Sequence, residues 1–179
     1  MKSQNIISKT QGMTLIEILT VVVIIAVLMG MLFPVVTGVK NSARRAQANV
    51  ECNGLVTAFK MYENEYGVFP SGVVTNTSSN VVAMLSGNDD PTAGYENPKR
   101  IRFFDFQQSR ISNGAYYDPF MGKGGNPYQI QLDTNYTGVV TIPAPYNTGL
   151  TGGSLTNSVA IWMVTNSSAN LTQFAKSWK

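Results

Sequence analysis

Residues 12–36 read GMTLIEILTVVVIIAVLMGMLFPVV, and the architecture of the chain follows from this stretch. Glu17 is its only charge, and from Ile18 to Val36 nineteen residues carry none. At about 1.5 Å per residue, a helix of that length comes close to the ~30 Å of hydrocarbon in a bilayer, so the stretch predicts a membrane-spanning helix. The residues before it, MKSQNIISKTQG, are polar and carry Lys2 and Lys9. They lack the apolar centre that a conventional secretory signal places ahead of its cleavage site. The two lysines place this leader in the cytoplasm, although Lys40, Arg44 and Arg45 beyond the span reduce the charge asymmetry. A plain signal-anchor accounts for everything except a glycine at the polar-to-apolar junction and a carboxylate five residues later.

The remainder of the 179 residues is long enough for one ordinary domain with its own core and short for two. The 44% apolar content is concentrated in residues 13 to 36; the rest is rich in Gly, Asn, Ser and Thr. The net charge of +3 includes the leader lysines, and without residues 1–12 it is 11 basic against 10 acidic residues. That balance gives no electrostatic case for nucleic acid. Arg44 with Arg45, and Lys99 with Arg100 and Arg102, are the local excesses, and both read as solvated surface or inter-subunit contacts. Cys52 is the single cysteine and there is no histidine. An internal disulfide, the common zinc ligand sets, and Ser-His or Cys-His catalysis are therefore all excluded. An acid–base carboxylate pair is the only catalytic set the composition permits, and nothing in the sequence brings two carboxylates together. The expectation is a non-enzyme that needs no cofactor and has no metal site.

Gly12-Met13-Thr14-Leu15-Ile16-Glu17 resembles the prepilin-peptidase recognition site of type IV pilins and type II secretion pseudopilins. The resemblance implies cleavage of the Gly12–Met13 bond, N-methylation of Met13 and an assembly role for Glu17. Phenylalanine is the usual first residue in that family; Met13 departs from it while remaining large and apolar. An acidic residue inside the membrane costs on the order of 3 kcal/mol at mid-span and less near an end, so Glu17 requires a compensating partner. A free α-ammonium on Met13 would serve, either in the same helix or from a neighbouring subunit. The alternative is a first-turn carboxylate that complements the helix dipole. Pro34, one turn after Gly30, removes a backbone hydrogen bond. The two residues form a soft point, read either as a simple kink or, by the resemblance, as a segment that unwinds when the subunit leaves the bilayer.

Past the span, Val39, Ala43, Ala46 and Val50 fall at 0, 4, 7 and 11, and Leu55, Phe59, Tyr62 and Tyr66 repeat the spacing after a phase shift near Gly54. This predicts an amphipathic helix with one buried stripe, ending at Gly67. If continuous from Met13 to Tyr66, the helix is about 80 Å long. Strand-like stretches follow at Tyr128 to Leu132, Gly138 to Ile142 and Ser158 to Val164, and predict an antiparallel sheet packed on the helix. Thr75 to Asn80 reads as an exposed loop, Val81 to Leu85 as a helical turn, and Lys99 to Phe106 as a connector whose aromatics pack in the head or between subunits. Asp89, Asp90, Asp118 and Asp133 read as turn-formers. The chain thus divides into a leader (1–12), a membrane helix (13–36), an amphipathic half (37–67) and a globular head (68–179).

The stretch ARRAQANVECNGLVTAFKMYENEYGVFP, residues 43–70, resembles the major pseudopilin of type II secretion. So do Asp118-Pro119-Phe120 with Gly125-Asn126-Pro127-Tyr128, separated by an insertion at Met121 to Gly124, and the terminal Ser177-Trp178-Lys179. Major pseudopilins often hold calcium in the loop before that end, but from Val164 to Lys179 this chain has no Asp or Glu, so no calcium site is expected. The resemblance implies an α+β pilin-like fold in the bacterial inner membrane, with one pass, a cytoplasmic leader and a periplasmic head. Its implied partners are further copies of the chain in a helical homopolymer, a prepilin peptidase, a filament assembly platform and minor pilin-like subunits. A type II secretion pseudopilus is favoured over an adhesive, motility or DNA-uptake pilus, and a membrane-anchored enzyme or binding protein is the remaining class.

Overall fold

The computed structural model describes residues 12–70, 75–89, 96–120, 125–144, 146, 151–163 and 175–178. The chain divides into two compact units, residues 1–40 and 41–179. A helix, α1, is assigned from Leu15 to Tyr66, 52 residues in all, and it passes through Gly30 and Pro34 without a break. In the first unit its Leu15–Leu32 segment is the one helix among the described residues long and apolar enough to cross a membrane. None of that segment is buried, and its Val, Ile and Leu side chains point outward on every side. A helix that is apolar all round suits hydrocarbon rather than water.

In the second unit α1 supplies one face of the core. Ala48, Cys52, Leu55, Phe59 and Tyr62 are buried, at successive steps of four and three residues. The second half of the expected stripe is thus correct, with Tyr66 partly buried at its end. The first half is not: Val39, Ala43, Ala46 and Val50 are all exposed, Val50 by 70%. Counting back from Leu55 in turns of 3.6 residues leads to Cys52 and Ala48, whereas Val50 stands about 140° away around the axis. Small residues on the true stripe concealed it. Gly54 is required by close approach, since a Cβ there would lie 2.9 Å from the ring of Phe104. The helix stops as expected at Gly67, which takes φ +75° and donates its N–H to the Glu63 carbonyl at 2.7 Å.

Among its described residues the head has a short α-helix and three two-stranded antiparallel ladders. Helix α2 (Ser79–Leu85) buries Val81, Val82, Met84 and Leu85. The strands are β1 (Ile111–Ser112), β2 (Ala115–Tyr116), β3 (Gln129–Leu132), β4 (Val140–Thr141), β5 (Ser154–Leu155) and β6 (Val159–Trp162). β1 pairs with β2, β4 with β5, and β3 with β6 in the register Gln129↔Trp162 to Leu132↔Val159. Three of the six match the expected strands; β4 pairs with the unanticipated β5. β6 is buried throughout and its side chains alternate between two cores. Val159 and Ile161 join the main cluster with Leu55, Phe59 and Tyr128. Ala160 and Trp162 join a second cluster with Val140 and Ile142, against which Trp178 packs.

The reading of Thr75 to Asn80 as an exposed loop is overturned. Asn76 bridges to Gln129, Thr77 is wholly buried, and Ser79 and Asn80 already belong to α2. Thr77 donates its N–H to the Tyr128 carbonyl and its hydroxyl to the Tyr116 carbonyl, and accepts from the N–H groups of Tyr116 and Tyr128, all within 2.7–3.0 Å. A polar residue at that point splices β2 to the start of β3. The aromatics of the Lys99 to Phe106 connector pack inside the head, with Phe106 buried and Phe103 and Phe104 against the core.

Candidate functional site

The two ends of the junction differ in backbone state. Residues 12–14 are neither helical nor extended into a sheet, and Gly12 and Met13 are exposed, so the Gly12–Met13 peptide is accessible. α1 begins at the next step. The Thr14 carbonyl accepts from the N–H of Glu17 at 3.1 Å and of Ile18 at 3.4 Å, which makes Thr14 the N-cap. Glu17 is then the third helical residue, and its carboxylate turns back to accept from the Thr14 N–H and the Thr14 hydroxyl, each at 2.7 Å. The Glu17 N–H lies 3.4 Å from the same hydroxyl oxygen. This is a reciprocal capping box, in which the Thr14 N–H and hydroxyl and the Glu17 carboxylate satisfy each other. Thr20 closes the turn by donating its hydroxyl to the carbonyls of Ile16 and Glu17.

The box supplies the partner that an acidic residue in an apolar run requires. In the uncleaved chain that partner is Thr14, and the bond adds a specific contact to the attraction between a first-turn carboxylate and the helix dipole. With Gly12 attached, the Met13 nitrogen is an amide and carries no charge, so a Met13–Glu17 ion pair requires prior cleavage. The signal was present in the sequence as Thr-x-x-Glu ahead of an apolar run. Gly30 has open space where a Cβ would stand, so packing within the chain does not demand a glycine there.

A second polar constellation lies in the head. Arg110, in the 3₁₀ turn Gln108–Arg110 that precedes β1, pairs with Glu51 of α1; their side chains are only 9% and 12% exposed. The Arg110 guanidinium also donates to the Tyr116 hydroxyl, to the Tyr117 carbonyl at 3.3 Å and to Gln107 Oε1 at 3.2 Å. The Tyr128 hydroxyl donates to the other Glu51 oxygen at 2.6 Å, and Gln47 Nε2 reaches the first at 3.0 Å. Burial by itself would lower the Arg110 pKa, but the Glu51 carboxylate outweighs it and raises it further. Burial pushes the Tyr116 and Tyr128 hydroxyls well above the ordinary phenol range, with Glu51 adding to the shift. Every strong donor is matched to an acceptor, so the cluster ties α1 to β2 and β3 and leaves no group poised for catalysis. Residues 51, 110, 116 and 128 share no local pattern, and sequence reasoning missed them.

Of the aspartates read as turn-formers, the three that are described cap loop N–H groups. Asp89 accepts from the Asn97 N–H, Asp118 from Phe120 and Asn126, and Asp133 from Thr137 and Gly138. Desolvation works against the Asp133 carboxylate, but the N–H groups of Thr137 and Gly138 and the Thr137 hydroxyl together outweigh it and hold its pKa below the usual range. Among the described residues no three His, Cys, Asp or Glu side chains converge on a common point. Asp90, the Met121 to Gly124 insertion and the segment 164–174, where calcium was considered, lie outside the described residues.

The model of the prokaryotic N-terminal methylation motif matches residues 7–33, a span that contains Gly12, Met13, Thr14, Glu17 and Gly30. No curated protein and no solved structure matches the chain. The motif and the apolar helix are consistent with a type IV pilin-like protein, and point to a structural subunit rather than an enzyme. They fit a membrane-anchored, single-pass chain.

Proposed function

We propose that this chain is the precursor of a filament subunit: a prepilin peptidase cuts the Gly12–Met13 bond, Met13 is N-methylated, and the subunit is extracted from the inner membrane into a helical homopolymer. The observation that carries the reading is the capping box at the entrance to the span, inside the matched methylation motif. A glycine in an accessible, non-helical junction suits a peptidase, and the adjoining Glu17 is held ready but not locked. An oxygen bound to its own helix can be handed to a neighbour's new amine at little net cost, because one charge-assisted hydrogen bond replaces another. Head-to-tail contacts of this kind do not close on themselves, and so produce a filament.

The reading extends to a type II secretion pseudopilus, supplied through an assembly platform with minor pilin-like subunits. Residues 43–70 and the absence of a disulfide-closed C-terminal loop support that branch. Pro34 and Gly30 serve as the soft point of the helix during extraction. The test is mass spectrometry of the chain co-produced with a prepilin peptidase. A product beginning at N-methyl Met13 is expected; a chain retaining Met1 overturns the processing step. Glu17→Ala is expected to be inserted and cleaved but to form no filaments, and normal filaments from it would remove the assembly role.

A further inference from the structure

The second charged feature along α1 lies beyond the span. Glu17 and Glu51 are separated by thirty-three residues that contain no acid, and the charges among them are Lys40, Arg44 and Arg45. All three are exposed, and among the described residues none forms an ion pair. The apolar run ends at Val36, and they follow it by four, eight and nine residues. In chain order that puts them just past the stretch that spans hydrocarbon, where a chain enters the headgroup layer. Long basic side chains there extend toward lipid phosphates while their stems remain against apolar surface.

We propose that Lys40, Arg44 and Arg45 form a cationic collar that binds anionic phospholipid headgroups in the leaflet where the span ends. It goes beyond filament assembly and rests only on the span being in the bilayer. Charge complementarity selects the occupant: three cations with no neighbouring acid in their own helix face a layer of phosphates. Apolar residues hold the helix across the bilayer, and the collar sets its depth. It is also a contact that must be released before the subunit can leave the membrane.

The full-length chain is reconstituted in phosphatidylcholine vesicles that carry a trace of spin-labelled phosphatidylglycerol or phosphatidylcholine. Lipid held at the protein is read as the motionally restricted component of the spectrum. The expected result is a preference for phosphatidylglycerol of at least about threefold, which falls toward one in about 0.5 M salt and in Lys40→Gln/Arg44→Gln/Arg45→Gln. Lys2→Gln/Lys9→Gln controls for the leader and is expected to retain most of the preference. Equal association of both lipids, a preference that survives the triple substitution, or one that disappears with the leader lysines overturns the collar. Failure of the chain to float with vesicles overturns the membrane reading instead. Unchanged tryptophan fluorescence of the triple variant distinguishes lost lipid binding from lost folding.

Discussion

Thr14 has three roles within one residue: its carbonyl starts the helix, its N–H is the donor that Glu17 requires, and its hydroxyl adds a second bond to the same carboxylate. Removing a cap of this kind costs about 1 kcal/mol. Thr14→Ala is therefore expected to speed hydrogen exchange at the amides of Glu17 and Ile18, which donate to the Thr14 carbonyl, roughly fivefold, while Thr14→Ser restores protection. Unchanged exchange in the alanine variant would show that the box does not hold the helix start. In the head, Arg110 and Glu51 present the opposite case, because each is buried against the other. Arg110→Met leaves a carboxylate inside with only tyrosine and glutamine donors, and is expected to lower unfolding stability by about 3–5 kcal/mol. Glu51→Leu combined with Arg110→Met is expected to cost less than the single change, because no charge is then stranded; denaturant midpoints of the full chain in detergent measure both. These residues also divide what the sequence revealed from what it concealed. The motif that contains Gly12, Met13 and Glu17 was legible because its pattern is local. Arg110 and Glu51 were not, because fifty-nine residues separate them and nothing short of the folded chain brings them together.

Among the elements, α1 shows how a correct period can carry a wrong phase. Val39, Ala43, Ala46 and Val50 have the spacing of a buried face, yet the head covers Ala48 and Cys52 instead. Hydrophobic spacing alone could not choose between two stripes when the covered one is made of small residues. The strands show the converse. β3, β4 and β6 were readable from alternation and turn residues, but their pairing was not, because β4 joins a two-residue β5 that carries no pattern of its own. Gly54 tests how closely the connector and the helix fit. An alanine there gains roughly 1 kcal/mol of helix propensity, but its Cβ, 2.9 Å from the Phe104 ring, displaces that ring. Gly54→Ala is expected to destabilise the chain by about 1 kcal/mol in thermal or denaturant unfolding. In a Phe104→Ala background the same change is expected to stabilise it, and additivity in that double-mutant cycle would refute the contact.

At the scale of the molecule, the head is held by aromatic packing and hydrogen-bonded tyrosines, and this sets its response to alkali. Burial, reinforced by Tyr66, Glu96 and Asp89, pushes the Tyr62 hydroxyl up to about 12. A folded pKa above the unfolded value of about 10 means that the folded state holds the proton more tightly. Its contribution is complete below about pH 10 and is lost as pH rises toward 12. Stability is expected to fall by about 2–3 kcal/mol across that window, and Tyr62→Phe is expected to flatten the fall; a profile unchanged by the substitution would place the sensitivity elsewhere. Tyr116 and Tyr128 titrate higher still and extend the loss. Cys52 has a different consequence. It is the only sulfhydryl, completely enclosed beneath α1, and burial pushes its thiol far above the ordinary range. With its one thiol enclosed and no internal cross-link to reduce, the fold does not depend on thiol–disulfide poise. On the proposed route, a head that passed from a reducing to an oxidising compartment would keep the same covalent structure, so its export would need no thiol chemistry to complete it.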